Sequence, residues 1–256
     1  SLAIAIVLTG VGAGTLVMPL VVRVLLDQMS WRGTFRLLAA VSFVLLVATA
    51  VSVPAQKEPK AVSQLGPRTM AGSAPFRRLY LSVVLIAPGF YAPLAFLNDY
   101  AVSVGSSAST AALLVAAIGL SSVASRIWFG GLAERVGALR QYEFSHLVFV
   151  VGLAVWLLAR DSTLVLFVAA GLHGLAWAAW VTAAPLVLAQ WFGVDDLGQL
   201  VGGFYTGLGL GAFLGPAISG FVIDTAGYRP AIALVVVTSL LSVATLRTVR
   251  HLDPVA

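Results

Sequence analysis

The chain of 256 residues is 60% hydrophobic and 10% charged, with a mean hydropathy of +1.00, which leaves too little polar surface to coat a soluble globule. Its apolar residues come in runs of about 20, enough for a helix to cross a hydrocarbon core of about 30 Å, and not as the short alternating strands of a barrel. Cysteine is absent, which excludes disulfides and thiolate metal sites, and the net charge of +5 comes from basic residues in the gaps between apolar runs, a sign of membrane topology and not of nucleic-acid binding.

An all-α integral membrane protein is therefore predicted, with eight transmembrane helices at 2–26, 33–53, 77–101, 107–129, 142–159, 164–191, 198–223 and 226–247. Between the second and third, PAQKEPKAVSQLGPRTMAGSAP (Pro54 to Pro75) carries prolines and scattered charges that predict a polar loop. Lys57, Lys60, Arg68, Arg77, Arg78, Arg126, Arg135, Arg140, Arg247 and Arg250 fall on one face, and Arg23, Arg32, Arg36, Arg160 and Arg229 on the other. This ten-to-five excess assigns the central loop and both termini to the cytoplasm of a multi-pass protein of the plasma (inner) membrane. Ser1 leads straight into an apolar run, so an upstream portion is expected.

The first span contains TGVGAGTLVMP, Thr9 to Pro19, and TGLGLGAFLGP returns at Thr206 to Pro216. With an offset of 197 residues, Thr9, Gly10, Gly12, Gly14, Pro19, Asp27 and Arg32 meet identical residues, seven matches in 24 positions. Both copies lie in a span followed by a short outer loop and a second span. A parallel repeat of this length is how transporters with two similar six-helix halves are built, and four further helices are then expected upstream.

In 77–101, Pro88 and Pro93 bracket Tyr91 and should bend the helix, while Asn98 and Asp99 cap its outer end. Arg126 stands inside 107–129. An intramembrane arginine is a functional candidate, although it can also snorkel to the cytoplasmic headgroups about 6 Å away. Glu143 and His146 open the next span and are expected at the interface. His173 lies near the middle of 164–191, with Trp177 and Trp180 on the same face; the three line a cavity as proton carrier and aromatic wall, or pack in the core. No nucleophile or metal-binding spacing accompanies His173, so neither an enzyme nor a cofactor or metal is expected. Gly203, Gly207, Gly211 and Gly215 form a helix-packing ridge in 198–223.

GGLAERVGALR, Gly130 to Arg140, resembles the cytoplasmic signature of the major facilitator superfamily. Gly130, Leu132, Ala133, Arg135 and Gly137 fit, Glu134 replaces the usual Asp, and the closing basic residue is delayed to Arg140. WRGTF at Trp31 and GPAISGFVIDTAGYR at Gly215 are similar to the monocarboxylate-porter and oxalate/formate-exchanger branch. The resemblance implies a major facilitator fold in which 1–53 are the last two helices of the N-terminal half, 54–76 the cytoplasmic central loop, and 77–256 the C-terminal six-helix bundle.

It further implies secondary active transport of a small, monocarboxylate-like organic anion by alternating access, Arg126 gripping the carboxylate, with Tyr91, His173, Trp177 and Trp180 as the other candidate substrate-binding residues. Gly130, Glu134, Arg135, Gly137 and Arg140 then form the gating turn, a carboxylate beside arginine pairing in one state and releasing in another. The branch's acidic proton carrier falls on Ser122, which cannot serve, and 198–223 lacks the lysine of oxalate exchangers. The partners implied are a small-molecule substrate, a coupling proton or a counter-substrate, and the lipid bilayer, with the protein a monomer. The alternatives are an exporter of hydrophobic or cationic compounds and a membrane fragment without transport activity.

Overall fold

The computed structural model describes residues 14, 17, 18, 21–52, 72–129, 135–194 and 196–252. Seven long helices follow one another: α1 (Trp31–Ser52), α2 (Ala74–Ser103), α3 (Ala108–Phe129), α4 (Ala138–Ala159), α5 (Thr163–Phe192), α6 (Leu197–Ala226) and α7 (Tyr228–Arg247), with a 3-10 turn at Thr248–His251. Each of the seven includes a stretch long and apolar enough to cross a membrane, and no strand occurs among the described residues. The chain is a multi-pass membrane protein. Of the first predicted span, residues 21–28 are helical, while Gly10, Pro19 and the central loop from 54 to 71 lie outside the described residues.

Glycine ends several helices. Gly137, Gly193 and Gly227 take φ of 89°, 83° and 90°, a region costly for residues with a β-carbon, and the Gly193 and Gly227 amides close onto the carbonyls of Ala189 and Ile223. Ser73 and Ser162 cap α2 and α5 by accepting from the amides of Phe76 and Val165.

Helices α2 to α7 form a bundle. α5 packs along both α3 and α4, and α6 and α7 flank α2, with α7 also against α4. Its core has one cluster around Phe90, Tyr142, Trp180 and Phe204 and another around Tyr100, Leu114, Trp156 and Leu166. Along α6, a β-carbon on Gly207 would press on Val83, one on Gly211 on Ala87, and one on Gly215 on Pro88, so α2 and α6 approach backbone to backbone. Gly203 is half-buried at the same ridge. α1 differs: among its residues Thr34 alone is buried, and Phe43, Leu46 and Val51 are exposed.

The first residues of α4 depart from the expectation that Glu143 and His146 are interfacial. α4 starts at Ala138, four residues ahead of the apolar run, which carries His146 two turns into the bundle, where it is fully buried. Its Nδ1 lies 2.8 Å from the Tyr142 carbonyl. Gln141 enters too, because its amide donates to the Ala179 carbonyl and the Thr182 hydroxyl on α5. Glu143 is held by a bidentate pair with Arg250, from Nε and Nη2, tying α4 to the turn after α7. Beside it, Arg78 Nη1 donates to the Thr248 carbonyl at 2.6 Å. At the opposite end of the bundle the Tyr100 hydroxyl donates to the carbonyl of Arg160, which takes φ of 50° between α4 and α5.

Candidate functional site

Arg126 belongs to the last turn of α3, where the helix dipole favours a cation. It is 2% exposed, so the protein covers it, in place of the snorkelling geometry. None of its three guanidinium nitrogens has a hydrogen-bond partner among the described residues, and neither has the hydroxyl of Ser122, one turn earlier. Ser125 turns its own hydroxyl back to the Ser121 carbonyl at 2.6 Å. A planar fork of donors thus stands buried without an acceptor among the described residues, an arrangement that favours a carboxylate able to take two parallel bonds.

α3 is set against α5 by Gly174, whose missing β-carbon leaves room for the Ile118 carbonyl and the Ser121 hydroxyl. From that crossing Arg126 lies about two turns, or 12 Å, further along α3. The same advance along α5 passes Trp177 and Trp180 and reaches Thr182, just before Pro185, which has no N–H for the Val181 carbonyl.

Beside this level the aromatic residues interlock. Phe90 meets Trp177 edge-on at 5.1 Å and Trp180 at 5.0 Å, and Tyr91 reaches Trp177 at 6.2 Å. Trp180 is 0% exposed and stacks on Trp177, Phe204 and Tyr205. Tyr91, Trp177 and Tyr205 keep part of their surface open. Tyr80, also partly open, bonds its hydroxyl to that of Thr206 at 3.1 Å.

The expected site residues are thus partly assembled. Tyr91, Trp177 and Trp180 come together through Phe90. His173 lies edge-on to Phe149 of α4 at 5.1 Å, within hydrogen-bonding reach of the Phe90 backbone on α2, and lines a small apolar cavity of about 10 Å³ with Pro93, Leu97, Leu153 and Trp156. It is 4% exposed and its Nε2 has no partner among the described residues. In the motif between α3 and α4, Arg135 and Arg140 are exposed and Gly137 supplies the turn, while Gly130 and Glu134 lie outside the described residues.

Tyr205, Tyr80 and Phe90 did not enter the sequence reading. Tyr205 sits in the glycine-rich helix, where GGFYTG drew attention only to packing; its signal was a tyrosine set between the glycines of a close helix contact. No three His, Cys, Asp or Glu side chains converge on a metal-sized site among the described residues.

A sequence model of the Major Facilitator Superfamily matches residues 1–158 and again 79–255. Among curated proteins the chain is similar to Monocarboxylate transporter 12 of Mus musculus, 29% identical over 266 residues, covering 89% of this chain and 54% of that protein. It is 29% identical to Monocarboxylate transporter 11 of Mus musculus, covering 94% and 57%. It is also 28% identical to an MFS-type transporter of Gibberella moniliformis (strain M3125 / FGSC 7600), covering 89% and 55%. The chain spans about half the length of the curated relatives it matches.

Proposed function

Because the chain belongs to the Major Facilitator Superfamily, we propose that it is part of a secondary active transporter that moves a small, monocarboxylate-like organic anion by alternating access. Residues 1–53 are the last two helices of a first half, 54–76 the cytoplasmic connection, and 77–256 the six-helix second half. The two halves rock about a central site, in the plasma membrane, with the termini and the connection in the cytoplasm as the basic residues indicate. Arg126 binds the carboxylate, Tyr91 and Trp177 border it, Trp180 and the glycine ridge Gly203, Gly207, Gly211 and Gly215 hold the wall, and Gly130, Glu134, Arg135, Gly137 and Arg140 form the gating turn. The protein works as a monomer in the bilayer.

The observation that carries this reading is the buried guanidinium of Arg126 without a partner among the described residues; the names of the monocarboxylate transporters at 28–29% identity support it. The partly open aromatic group of Tyr91, Trp177 and Tyr205 supports a second reading, export of hydrophobic or cationic compounds, for which rings matter more than Arg126.

Uptake of labelled lactate and oxalate by the full-length protein in proteoliposomes separates the two. Arg126→Lys keeps the charge but loses the planar fork, so affinity should fall about tenfold or more, as expected when charge-assisted hydrogen bonds of about 1.5 to 3 kcal/mol are disturbed. Affinity unchanged in Arg126→Lys removes the reason for choosing an anion.

A further inference from the structure

We propose that the small cavity between α2, α4 and α5 binds one water molecule, which joins the imidazole of His173 to the indole of Trp156 and pins the three helices together. The proposal does not depend on what the protein carries.

Pro93 and Leu97 of α2, Leu153 and Trp156 of α4, and Ala170 and His173 of α5 border the cavity. Its volume is about 10 Å³, and about 10 to 15 Å³ is the least space that holds one water. His173 Nε2 and Trp156 Nε1, on two of the rings that line it, are both buried without a hydrogen-bond partner among the described residues. The two residues are 4% and 2% exposed. Every other side chain that borders the cavity is hydrocarbon, so neither nitrogen finds its complement there. Leaving both unmade would forfeit the bonds that each had to solvent.

The two nitrogens are complementary through a water. An indole N–H only donates. His173 lies within hydrogen-bonding reach of the Phe90 backbone, and because Nε2 is the unpartnered nitrogen, Nδ1 makes that bond and carries the proton. A neutral imidazole then presents Nε2 as an acceptor. One water accepts from Trp156 and donates to His173. For its second proton there is the Gly89 carbonyl, one turn before Pro93, which has no amide to offer it. Three bonds are usual for a buried water. No carboxylate borders the cavity to hold a cation, and a molecule larger than water does not fit. With both ring nitrogens engaged, His173 anchors the aromatic wall from behind, since the Phe90 that it bonds meets Trp177 and Trp180.

Full-length protein in lipid nanodiscs is exposed to an X-ray beam, and the hydroxyl radicals generated from water are read by mass spectrometry as oxidised side chains. A held water oxidises its neighbours however deeply they are buried. Trp156 should be oxidised several times as fast as Trp180, which is also buried with an unpartnered Nε1 but does not border this cavity. Trp156→Phe keeps an aromatic ring and removes the donor, so oxidation of His173 and Leu153 should fall several-fold. A high-resolution cryo-electron microscopy map of the wild type should show a density peak at about 2.7 to 3.2 Å from both nitrogens. Trp156 oxidised no faster than Trp180, with no peak in the map, overturns the proposal. So does a map in which the indole N–H meets His173 Nε2 directly.

Discussion

Gly211 of α6 rests on Ala87 of α2 so closely that a β-carbon on the glycine would overlap that of the alanine. The neighbour in the way is a backbone-anchored methyl on a long helix, which cannot swing aside. Gly211→Val should therefore destabilise the protein by about 1 to 3 kcal/mol or more through overpacking, seen as a lower thermal transition in detergent. Gly209→Ala, on a side of α6 where a β-carbon meets nothing within 4 Å, should leave the transition nearly unchanged. Equal losses in the two variants would mean that α2 and α6 do not meet along this ridge.

On the proposed reading, Arg126 should oppose stability while it serves anion binding. Arg126→Leu removes a buried cation that has no partner among the described residues, and the substrate-free variant should gain on the order of 1 kcal/mol in stability while losing anion uptake. Added lactate or oxalate should raise the transition of the wild type, by about 2.7 kcal/mol at a hundredfold excess over the dissociation constant, and leave that of Arg126→Leu in place. A destabilised Arg126→Leu would show that the guanidinium has a partner in the membrane.

Glu143 is nearly covered, while its partner Arg250 is more than half exposed. Arg250→Ala leaves a covered carboxylate without its cation, so it should lower the thermal transition more than the double variant Glu143→Gln, Arg250→Ala, which removes the charge as well. If the double variant is the less stable of the two, the pair is a surface contact of no weight.

The topology is tested on a chain that has no cysteine of its own. Leu65→Cys should resist an impermeant thiol reagent in intact cells and react after permeabilisation. Labelling in intact cells would place the central loop outside and reverse the orientation of every helix.

Much of the helical order was readable beforehand, because a lipid-spanning helix must satisfy its own backbone and advertises itself as one long apolar run. The ends were less readable. Hydropathy stops at Arg140 and Gln141, yet α4 begins at Ala138, since a polar side chain can enter a bundle once it finds partners such as the Ala179 carbonyl and Thr182. His146 was misplaced for the same reason. The candidate residues could be picked out by type, and their arrangement could not. Arg126 is conspicuous as a charge within an apolar run, but that it is buried in the folded chain is something no local pattern records. The spacing of His173, Trp177 and Trp180 puts them on one face of α5, but that face is wide enough to meet two neighbours, so that His173 sits between Phe149 on α4 and the Phe90 backbone on α2 while Trp177 meets the rings of Phe90 and Tyr91.

The contact of Gly215 with Pro88 has a meaning for how such a protein diversifies. A β-carbon at 215 would fall 2.8 Å from the proline Cα, so the space left by one residue is shaped by the other. Neither position is free to drift by itself: a larger side chain at 215 becomes acceptable only after α2 has changed its course at 88. Changes at the two sites are therefore contingent on order, and in a large collection of descendants they should vary as a correlated pair, whatever substrate each lineage has come to carry.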